Sequence, residues 1–215
     1  MYVPRFNIMH EPEVGAFLRA HPVAHLVTVG ADGVPDATLL PILIDNDGGR
    51  DRVVAHFARA NNHWRRIVNG SPALFVVAGP DAYISPSWYA SKAEHGRVVP
   101  TWNYSAVHLS GPVTIYDDVD WVRTAVTRLT ERHEGERAKP WAVSDAPATY
   151  VSGQLRAVVG IEMTIVKVEA KAKLSQNRSD EDRYGVIAGL REESGPPGAR
   201  QASAVAAAMQ EQFEH

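Results

Sequence analysis

Three segments of the sequence concentrate side chains that could bind a polar or anionic ligand. The first, His56 to Arg66, reads HFARANNHWRR and holds two histidines, three arginines and two asparagines. It follows a predicted strand and enters a short predicted helix, where free backbone N–H groups and the positive end of the helix dipole favour a phosphate. The alternatives are a solvated basic turn and, for His56, a core histidine within an apolar strand.

The second segment is Val98 to Tyr104, VVPTWNY, within an aromatic-rich block that runs from Ala82 to Gly111. In a strand, its rings would share one side, and the polar groups of Thr101, Asn103 and Ser105 would share the other. An amide supplies both a donor and an acceptor, which suits the edge of a pyrimidine-type ring. The alternative is a barrel strand with one face in water.

The third segment is Lys171 to Arg183, KAKLSQNRSDEDR, at the end of another predicted strand. A helix cap accounts for Ser179 and Asn177 but leaves Gln176 and Arg178 unexplained. The guanidinium of Arg178 could bind a phosphate or a carboxylate through two parallel hydrogen bonds.

Several other kinds of site are disfavoured. The chain has no cysteine, which excludes disulfides, thiolate metal sites and cysteine nucleophiles. Its histidines, including His95, His108 and His133, lack the spacing of a metal site, so no metal is expected. The sequence has no GxGxxG, P-loop, HExxH or GxSxG motif, and we therefore name no catalytic acid or base.

The elements that position these segments follow from hydrophobic periodicity and turn signals. Strands are predicted at 23–29, 36–44, 52–58, 72–79, 82–89, 102–117 and 156–175. Helices are predicted at 10–21, 118–134 and 178–192, with a short helix after the third strand and an Ala-rich helix in the tail. Strands joined by hairpins outnumber any βαβ unit, so the pattern predicts a mainly β (α+β) antiparallel barrel or sandwich. We expect residues 1–190 to form one domain and 191–215 a helical tail that follows a break at its Gly/Pro cluster.

Taken together, the three segments resemble the PaiB family of FMN-binding negative transcriptional regulators. The matching text is Val54–Trp64, Ala82–Gly111 and Lys173–Arg178, and the opening MYVPRFN and the later HPVAHLVT are also similar to the family. The resemblance covers roughly residues 1 to 190. It implies an FMN-binding split β-barrel, similar to pyridoxamine phosphate oxidases, that forms homodimers with flavin sites at the subunit interface.

The resemblance also implies where the flavin would lie. The strand Thr38–Ile42 would run beside the isoalloxazine ring, and the segment from His56 to His63 would approach the ribityl phosphate. Asn103 would face the ring or its edge, and Lys173 to Arg178 would close the site from the same or the partner chain. The cofactor-binding residues expected on this basis are Thr38, Leu40, His56, Phe57, Arg59, Asn61, Asn62, His63, Trp64, Trp102, Asn103, Lys173, Gln176, Asn177 and Arg178.

The segment from His56 to Arg66 differs at one point from the pattern that is typical of this fold. Flavin oxidases of this fold typically hold the phosphate with an Arg-Lys pair just after the third strand. Here the corresponding residues are Asn62 and His63, with Arg59, Arg65 and Arg66 nearby. A neutral histidine holds phosphate less well than a lysine, so we expect weak flavin binding.

Partners and location are expected from charge and from the resemblance. The formal net charge of −3 and the absence of a concentrated basic stripe disfavour direct DNA binding. Regulation through a protein partner is therefore the preferred hypothesis, with DNA as the alternative. Two further alternatives are a haem-binding protein on the same barrel and a scaffold that represses without flavin. The N-terminus has no signal-type apolar run and no window is long enough to span a membrane, so we expect a soluble, cytoplasmic protein.

Overall fold

Most strands of the molecule alternate buried and exposed residues, as a sheet with one packed face requires. The computed structural model describes residues 1–47, 49–192 and 199–213. The strands are β1 (Val23–Val29), β2 (Pro35–Pro41), β3 (Leu43–Asp47), β4 (Arg50–Ala58), β5 (Pro72–Ile84), β6 (Thr101–Tyr116), β7 (Val158–Thr164) and β8 (Lys167–Lys173).

The longest helix begins at a capping residue. Asp118 caps the long third helix by accepting a hydrogen bond from the backbone N–H of Trp121 at 2.7 Å. The α-helices are α1 (Glu11–Ala20), α2 (Ser91–His95), α3 (Val119–Glu134), α4 (Ala148–Arg156), α5 (Asp180–Glu192) and α6 (Ala199–Glu211). Short 3-10 helices form at Arg5–Asn7, Asn62–Arg66, Pro86–Trp88 and Val143–Asp145.

The chain divides into two compact units. The first unit holds Met1–Phe17, Ala78–Val107 and the described residues from Glu169 onward. The second unit holds Leu18–Val77 and His108–Val168. Strands β5 and β6 each contribute residues to both units.

The second unit is built on an antiparallel sheet. The strand order along the sheet is β2-β1-β5-β6-β7-β4-β3. The β1–β2 hairpin pairs His25 with Leu39, and β4 pairs along its length with β7. Helix α3 packs on β4 and β7, where Gly160 leaves room for the ring of Trp121. The core is fully buried apolar side chains, among them Leu26, Phe57, Phe75, Val113 and Ile161.

The first unit pairs β8 with β6 and packs α5 against α6. Helix α5 lies against the 3-10 helix that contains Trp88, and it can do so because Gly185 and Gly189 have no Cβ to meet that residue. Its buried apolar side chains are Ile84, Val186, Leu190, Val205 and Met209. Among the described residues, no helix is long and apolar enough to cross a membrane.

The predicted mainly β, antiparallel fold is confirmed, with differences in detail. The strands expected at 72–79 and 82–89 are one continuous strand, β5, in which Gly79 leaves space for the ring of Phe17. The long strand expected at 156–175 is divided into β7 and β8, because Ile165 and Val166 donate their N–H groups to Asp51 and Ser110. Helix α4 was not expected.

The structure describes part of the predicted helical tail. Residues 199–211 form α6, and the Gly/Pro cluster at 195–198, where a break was expected, lies outside the described residues. The domain boundary at residue 190 stays a prediction.

Candidate functional site

The segment that follows β4 is shaped by an asparagine cap. Asn61 accepts a hydrogen bond from the backbone N–H of His63 at 2.9 Å, which starts the 3-10 helix Asn62–Arg66. The Asn61 amide also donates to the hydroxyl of Thr38 at 3.3 Å. The two bonds hold the start of the helix against strand β2.

His63 is fixed between two threonines of the β1–β2 hairpin. Its Nε2 lies 2.8 Å from the hydroxyl of Thr28 and its Nδ1 lies 2.7 Å from that of Thr38. The side chain is buried, and its edge packs on the ring of Phe57 with centroids 5.4 Å apart. Burial lowers the pKa of His63, Asp36 raises it and Arg66 lowers it further. Both ring nitrogens are used within the protein, so His63 positions the helix and has no free nitrogen for a phosphate.

Two of the three arginines in this segment are already neutralised. Arg59 forms a two-pronged pair with Asp117, at 3.0 and 2.5 Å, and this pair lowers the pKa of that carboxyl group. Arg66 bonds both oxygens of Asp32 and pairs with Asp36 at 2.6 Å. Neither guanidinium is free to take an additional anion without giving up its carboxylate partner.

Arg65 differs from the other two. It donates to the side-chain oxygen of Asn62 at 2.8 Å, and its guanidinium lies 4.7 Å from the centre of the Trp64 ring. It is exposed and forms no direct ion pair within the described ranges, although its charge helps to lower the pKa of Asp117, the partner of Arg59. Trp64 is held in turn by a hydrogen bond from its indole N–H to the carbonyl of Arg59 at 3.0 Å. Arg65 is therefore the guanidinium that this segment can offer to an anionic ligand.

Arg65 was missing from the predicted site residues, although two signals in the sequence point to it. Asn62 stands three residues before it, and an aromatic residue stands beside it. A hydrogen-bonding side chain three residues away and an adjacent aromatic ring can each hold an arginine side chain in one orientation.

His56 lies on the other side of β4 from His63. Adjacent strand residues face opposite sides, and Phe57, the neighbour of His56, is the residue that contacts His63. His56 instead lines a groove of about 330 Å³ next to α3, together with Pro41, Val126, Leu129, Thr130, His133, Glu134 and Trp141. Burial lowers its pKa, and its Nδ1 is buried without a hydrogen-bond partner. The structure thus separates the two histidines that the sequence places in one segment.

Leu40 and Phe57 contribute to the core. They are 5% and 0% exposed, so their side chains have almost no surface for a ligand. The opposite face of the hairpin is apolar and exposed, with Val23, Val29 and Leu39 each more than 40% exposed. Register brings Val23 beside Pro41 and His25 beside Leu39, so these side chains form one continuous surface. We call this surface the hairpin face.

The remaining predicted residues lie in the first unit. Asn103 is fully buried, and its amide exchanges hydrogen bonds with the hydroxyl of Ser175 at 3.1 and 3.2 Å. Ser175 has a φ of 65°, and the Asn103 contact holds it in this unusual conformation. Trp102 is 52% exposed and packs edge-on against Tyr83. Asn103 thus fixes a turn, whereas Trp102 presents a ring to solvent.

The turn after β8 is closed by one of its own side chains. Gln176 accepts a hydrogen bond from the backbone N–H of Leu174 at 2.7 Å and donates to the carbonyl of Ala172 at 2.5 Å. Asn177 is exposed, and the guanidinium of Arg178 stacks on the ring of Tyr89 at 4.6 Å. Lys173 donates to the hydroxyl of Thr101 and to the carbonyl of Trp102, both at 2.5 Å.

The fifteen predicted residues therefore form two groups, nine in the second unit and six in the first. The second-unit group is Thr38, Leu40, His56, Phe57, Arg59, Asn61, Asn62, His63 and Trp64, and the first-unit group is Trp102, Asn103, Lys173, Gln176, Asn177 and Arg178. Among the residues that the structure describes, no three His, Asp or Glu side chains converge as a metal site would require.

Comparison with known proteins gives a family and a fold. Residues 1–167 match the family model described as "Putative FMN-binding domain". The chain is 32% identical over 197 residues to Protease synthase and sporulation protein PAI 2 of Bacillus subtilis (strain 168), which covers 91% of this chain and 92% of that protein.

Two solved structures are similar in fold. The conserved hypothetical protein Rv2991 from Mycobacterium tuberculosis aligns with a TM-score of 0.57 at 14% identity, over 82% of this chain and 92% of that one. The FAD and heme binding protein from Mycobacterium smegmatis aligns with a TM-score of 0.56 at 20% identity, over 80% and 76%. These likenesses confirm the predicted fold, an antiparallel split β-barrel with flanking helices.

Proposed function

The chain belongs to the PaiB family, and from this premise we propose that it is a dimeric protein that binds FMN and acts in negative regulation of transcription. The observation that carries the proposal is the match of residues 1–167 to an FMN-binding domain. That range includes the β1–β2 hairpin and the whole segment from His56 to Arg66.

Arg65 is the residue that we propose for the ribityl phosphate. Its guanidinium is exposed, oriented by Asn62 and Trp64, and in no direct ion pair with a described carboxylate, whereas Asp117 is already paired with Arg59. Guanidinium groups bind phosphate through two parallel hydrogen bonds. An arginine that already stacks on an aromatic ring is held in place, so its side chain loses less conformational entropy on binding. Since Arg59 and Arg66 are paired with aspartates, one free cation supports a modest affinity, in line with the weak binding expected from the sequence.

The hairpin face supports assembly with a second copy of the chain. Exposed apolar side chains on one continuous strand surface are costly in water, and a symmetric dimer buries the same patch on both subunits. Val23, Val29 and Leu39 give the patch, and His25 adds a polar group that can hydrogen-bond across a two-fold axis. We propose that the flavin sites lie at this subunit interface.

The chemistry of such a protein rests mainly with the cofactor. FMN, when bound, supplies hydride or single-electron transfer, and the chain supplies position and electrostatics. The half-buried His56 and the buried His63 remain neutral near pH 7 because burial lowers the pKa of each. No described side chain stands out as a catalytic acid or base, so redox sensing or a minor oxidoreductase activity is the chemistry proposed.

The regulatory role is proposed to act through a protein partner. The net charge is −3, and helix α3 carries both acidic and basic residues. Helices that read DNA grooves present concentrated positive charge to the phosphates. Action on transcription would place the protein in the cytoplasm.

Haem binding is the second candidate, and the groove beside α3 is the observation that favours it. His56 and His133 both line this groove, and histidine is a common axial ligand of haem iron. Its volume of about 330 Å³ is near the lower limit for binding sites of ordinary small ligands, so haem would require the groove to open.

The absorbance spectrum of the purified protein tests both candidates. Bound flavin gives two bands in the blue and near ultraviolet, and heat-released flavin can be identified as FMN or FAD by chromatography. A Soret band on haem addition that is lost in His56→Ala would favour the second candidate. A colourless protein that acquires neither spectrum with added cofactor would contradict both.

A further inference from the structure

The end of strand β8 carries positive charge that has no counter-ion in the part of the chain that the structure describes. Lys171, Lys173 and Arg178 lie within eight residues of one another in the first unit. None of the three forms an ion pair with a carboxylate among residues 1–47, 49–192 and 199–213. All three lie beyond residue 167, where the match to the FMN-binding domain ends.

Lys171 is the most unusual of the three because it is only 7% exposed. Its ammonium donates to the hydroxyl of Tyr104 at 2.8 Å and lies 5.0 Å from the centre of that ring. A lysine ammonium has three N–H donors, and one hydrogen bond leaves two for another acceptor. Lysine is almost never buried to this degree unless it is paired.

Lys173 lies two residues further along the same face of β8. Its ammonium donates to the hydroxyl of Thr101 and to the carbonyl of Trp102, which leaves one donor. Burial lowers the pKa of Lys173, and the charges of Lys171 and Arg178 lower it further. Lys173 therefore lies near both of the other cations, on the same face of β8 as Lys171 and before the turn that carries Arg178.

Arg178 completes the group from a rigid turn. Its backbone N–H donates to the carbonyl of Ser175 at 3.0 Å, and Ser175 is held by the buried amide of Asn103. Its guanidinium lies 4.6 Å from the centre of the Tyr89 ring; burial raises the pKa of Tyr89, and the charge of Arg178 opposes that rise.

Three carboxylates of neighbouring elements have other partners. Glu169 accepts a hydrogen bond from the amine of Met1 at 2.8 Å. Asp182 accepts hydrogen bonds from the backbone and hydroxyl of Ser91, and Asp180 pairs with Arg183. None of these acids balances the three cations.

We propose that Lys171, Lys173 and Arg178 form a binding site for a phosphate-type dianion, with Tyr104 orienting the Lys171 ammonium. Half-buried cations without a counter-ion cost free energy, and a bound anion would recover it through charge-assisted hydrogen bonds. Three cations favour a dianion over a single carboxylate. The ligand is a phosphate monoester or inorganic phosphate, and its source is either the phosphate group of FMN or a separate phosphorylated molecule.

The proposal does not require flavin and is tested without it. If the anion proves to be the phosphate group of FMN, these three cations replace Arg65 as the residues that bind it. Inorganic phosphate is titrated by calorimetry into the full chain freed of flavin, in a buffer without other multivalent anions. The wild type is expected to bind phosphate saturably. Loss of one charged hydrogen-bonding group costs about 1.5–3 kcal/mol, so Arg178→Ala and Lys173→Met should each weaken binding by about tenfold or more.

Matched controls separate the site from general charge and from misfolding. Lys92→Met removes an exposed lysine of the same unit and should leave the phosphate affinity unchanged. Lys173→Arg keeps the charge and should retain most of it. Circular dichroism verifies that each variant is folded. Absence of saturable binding by the wild type, or equal affinities across all variants, would overturn the proposal.

A second titration distinguishes the two sources. If the anion is the phosphate group of FMN, inorganic phosphate will compete with FMN but not with riboflavin. If it belongs to another molecule, the FMN-loaded protein will bind phosphate with the same affinity as the flavin-free protein. A protein that binds phosphate at these residues but no flavin would contradict only the flavin proposal.

Discussion

Nδ1 of His63 lies 2.7 Å from the hydroxyl oxygen of Thr38, and the opposite ring nitrogen lies 2.8 Å from the hydroxyl of Thr28. One imidazole thus ties the helix after β4 to both strands of the β1–β2 hairpin. In a neutral imidazole, one nitrogen donates and the other accepts, and threonine hydroxyls can serve either role. The segment that carries Arg65 is therefore positioned by a buried polar contact.

Replacing His63 with alanine should destabilise the protein. The change leaves the buried hydroxyl of Thr28 without its partner, and such losses cost about 1–3 kcal/mol. A lower urea midpoint should be measured for His63→Ala, while His10→Ala, which removes an exposed histidine outside the hairpin, should behave like the wild type. Equal midpoints for the two variants would show that the contact is not structural.

Stability should fall as the pH decreases from about 7.5 to about 5.5. Burial lowers the pKa of His56 and of His63 below the ordinary value of 6.5. In this window the unfolded chain binds more protons than the folded protein, so the free energy of unfolding decreases as protons are added.

Urea midpoints at the two pH values measure this effect. Replacing both histidines with glutamine should make the dependence on pH shallower, and changing an exposed histidine such as His133 should not. A wild-type midpoint that is unchanged or higher at the lower pH would contradict the assignment of two buried neutral imidazoles.

Two glycines should respond in opposite ways to alanine. A Cβ at Gly111 would overlap the backbone carbonyl of Thr164, which cannot move without breaking the sheet. Gly153 lies within helix α4 with open space around it, so alanine there should stabilise by about 0.5–1 kcal/mol. Thermal unfolding should show a large decrease in Tm for Gly111→Ala and a small increase for Gly153→Ala. Similar Tm values for the two variants would be evidence against the strand packing described.

The hairpin face should control the oligomeric state. Leu39→Arg places a charge in the centre of this apolar surface and should convert a dimer into a monomer, as measured by light scattering during size-exclusion chromatography. Val166→Arg changes an exposed apolar residue outside the hairpin and serves as the control. If Leu39→Arg remains a dimer, the subunit interface does not lie on the hairpin face.

Local patterns predicted much of the fold. The alternation from Val23 to Val29 predicted β1 with its correct ends, and Asp118 before an apolar stripe predicted the start of α3. Long-range contacts decided the rest. Gly79 signals a turn in isolation but accommodates Phe17 within a continuous strand. The division between β7 and β8 depends on hydrogen bonds to Asp51 and Ser110, which are far away in the sequence.

The candidate site shows the same limit. The sequence identified the segments but could not show which cations are free, because Asp117 is 58 residues from Arg59 and Asp32 is 34 residues from Arg66. Nor could it show that His56 and His63 face different sides of β4, or that Asn103 bonds with Ser175. Whether a cation has a carboxylate partner depends on tertiary contacts, and only these contacts distinguish Arg65 and Lys171 from the paired arginines.

The most direct test of the account is a titration of the purified protein with FMN, read as quenching of flavin fluorescence, for the wild type, Arg65→Ala and Arg66→Ala. We expect saturable binding by the wild type and an affinity about tenfold weaker in Arg65→Ala, as loss of a charged hydrogen bond implies. Arg66→Ala should lower stability through loss of its aspartate pairs and leave the FMN affinity unchanged. No saturable binding by the wild type would contradict the assignment as an FMN-binding protein, and equal affinities in all three would contradict the role of Arg65.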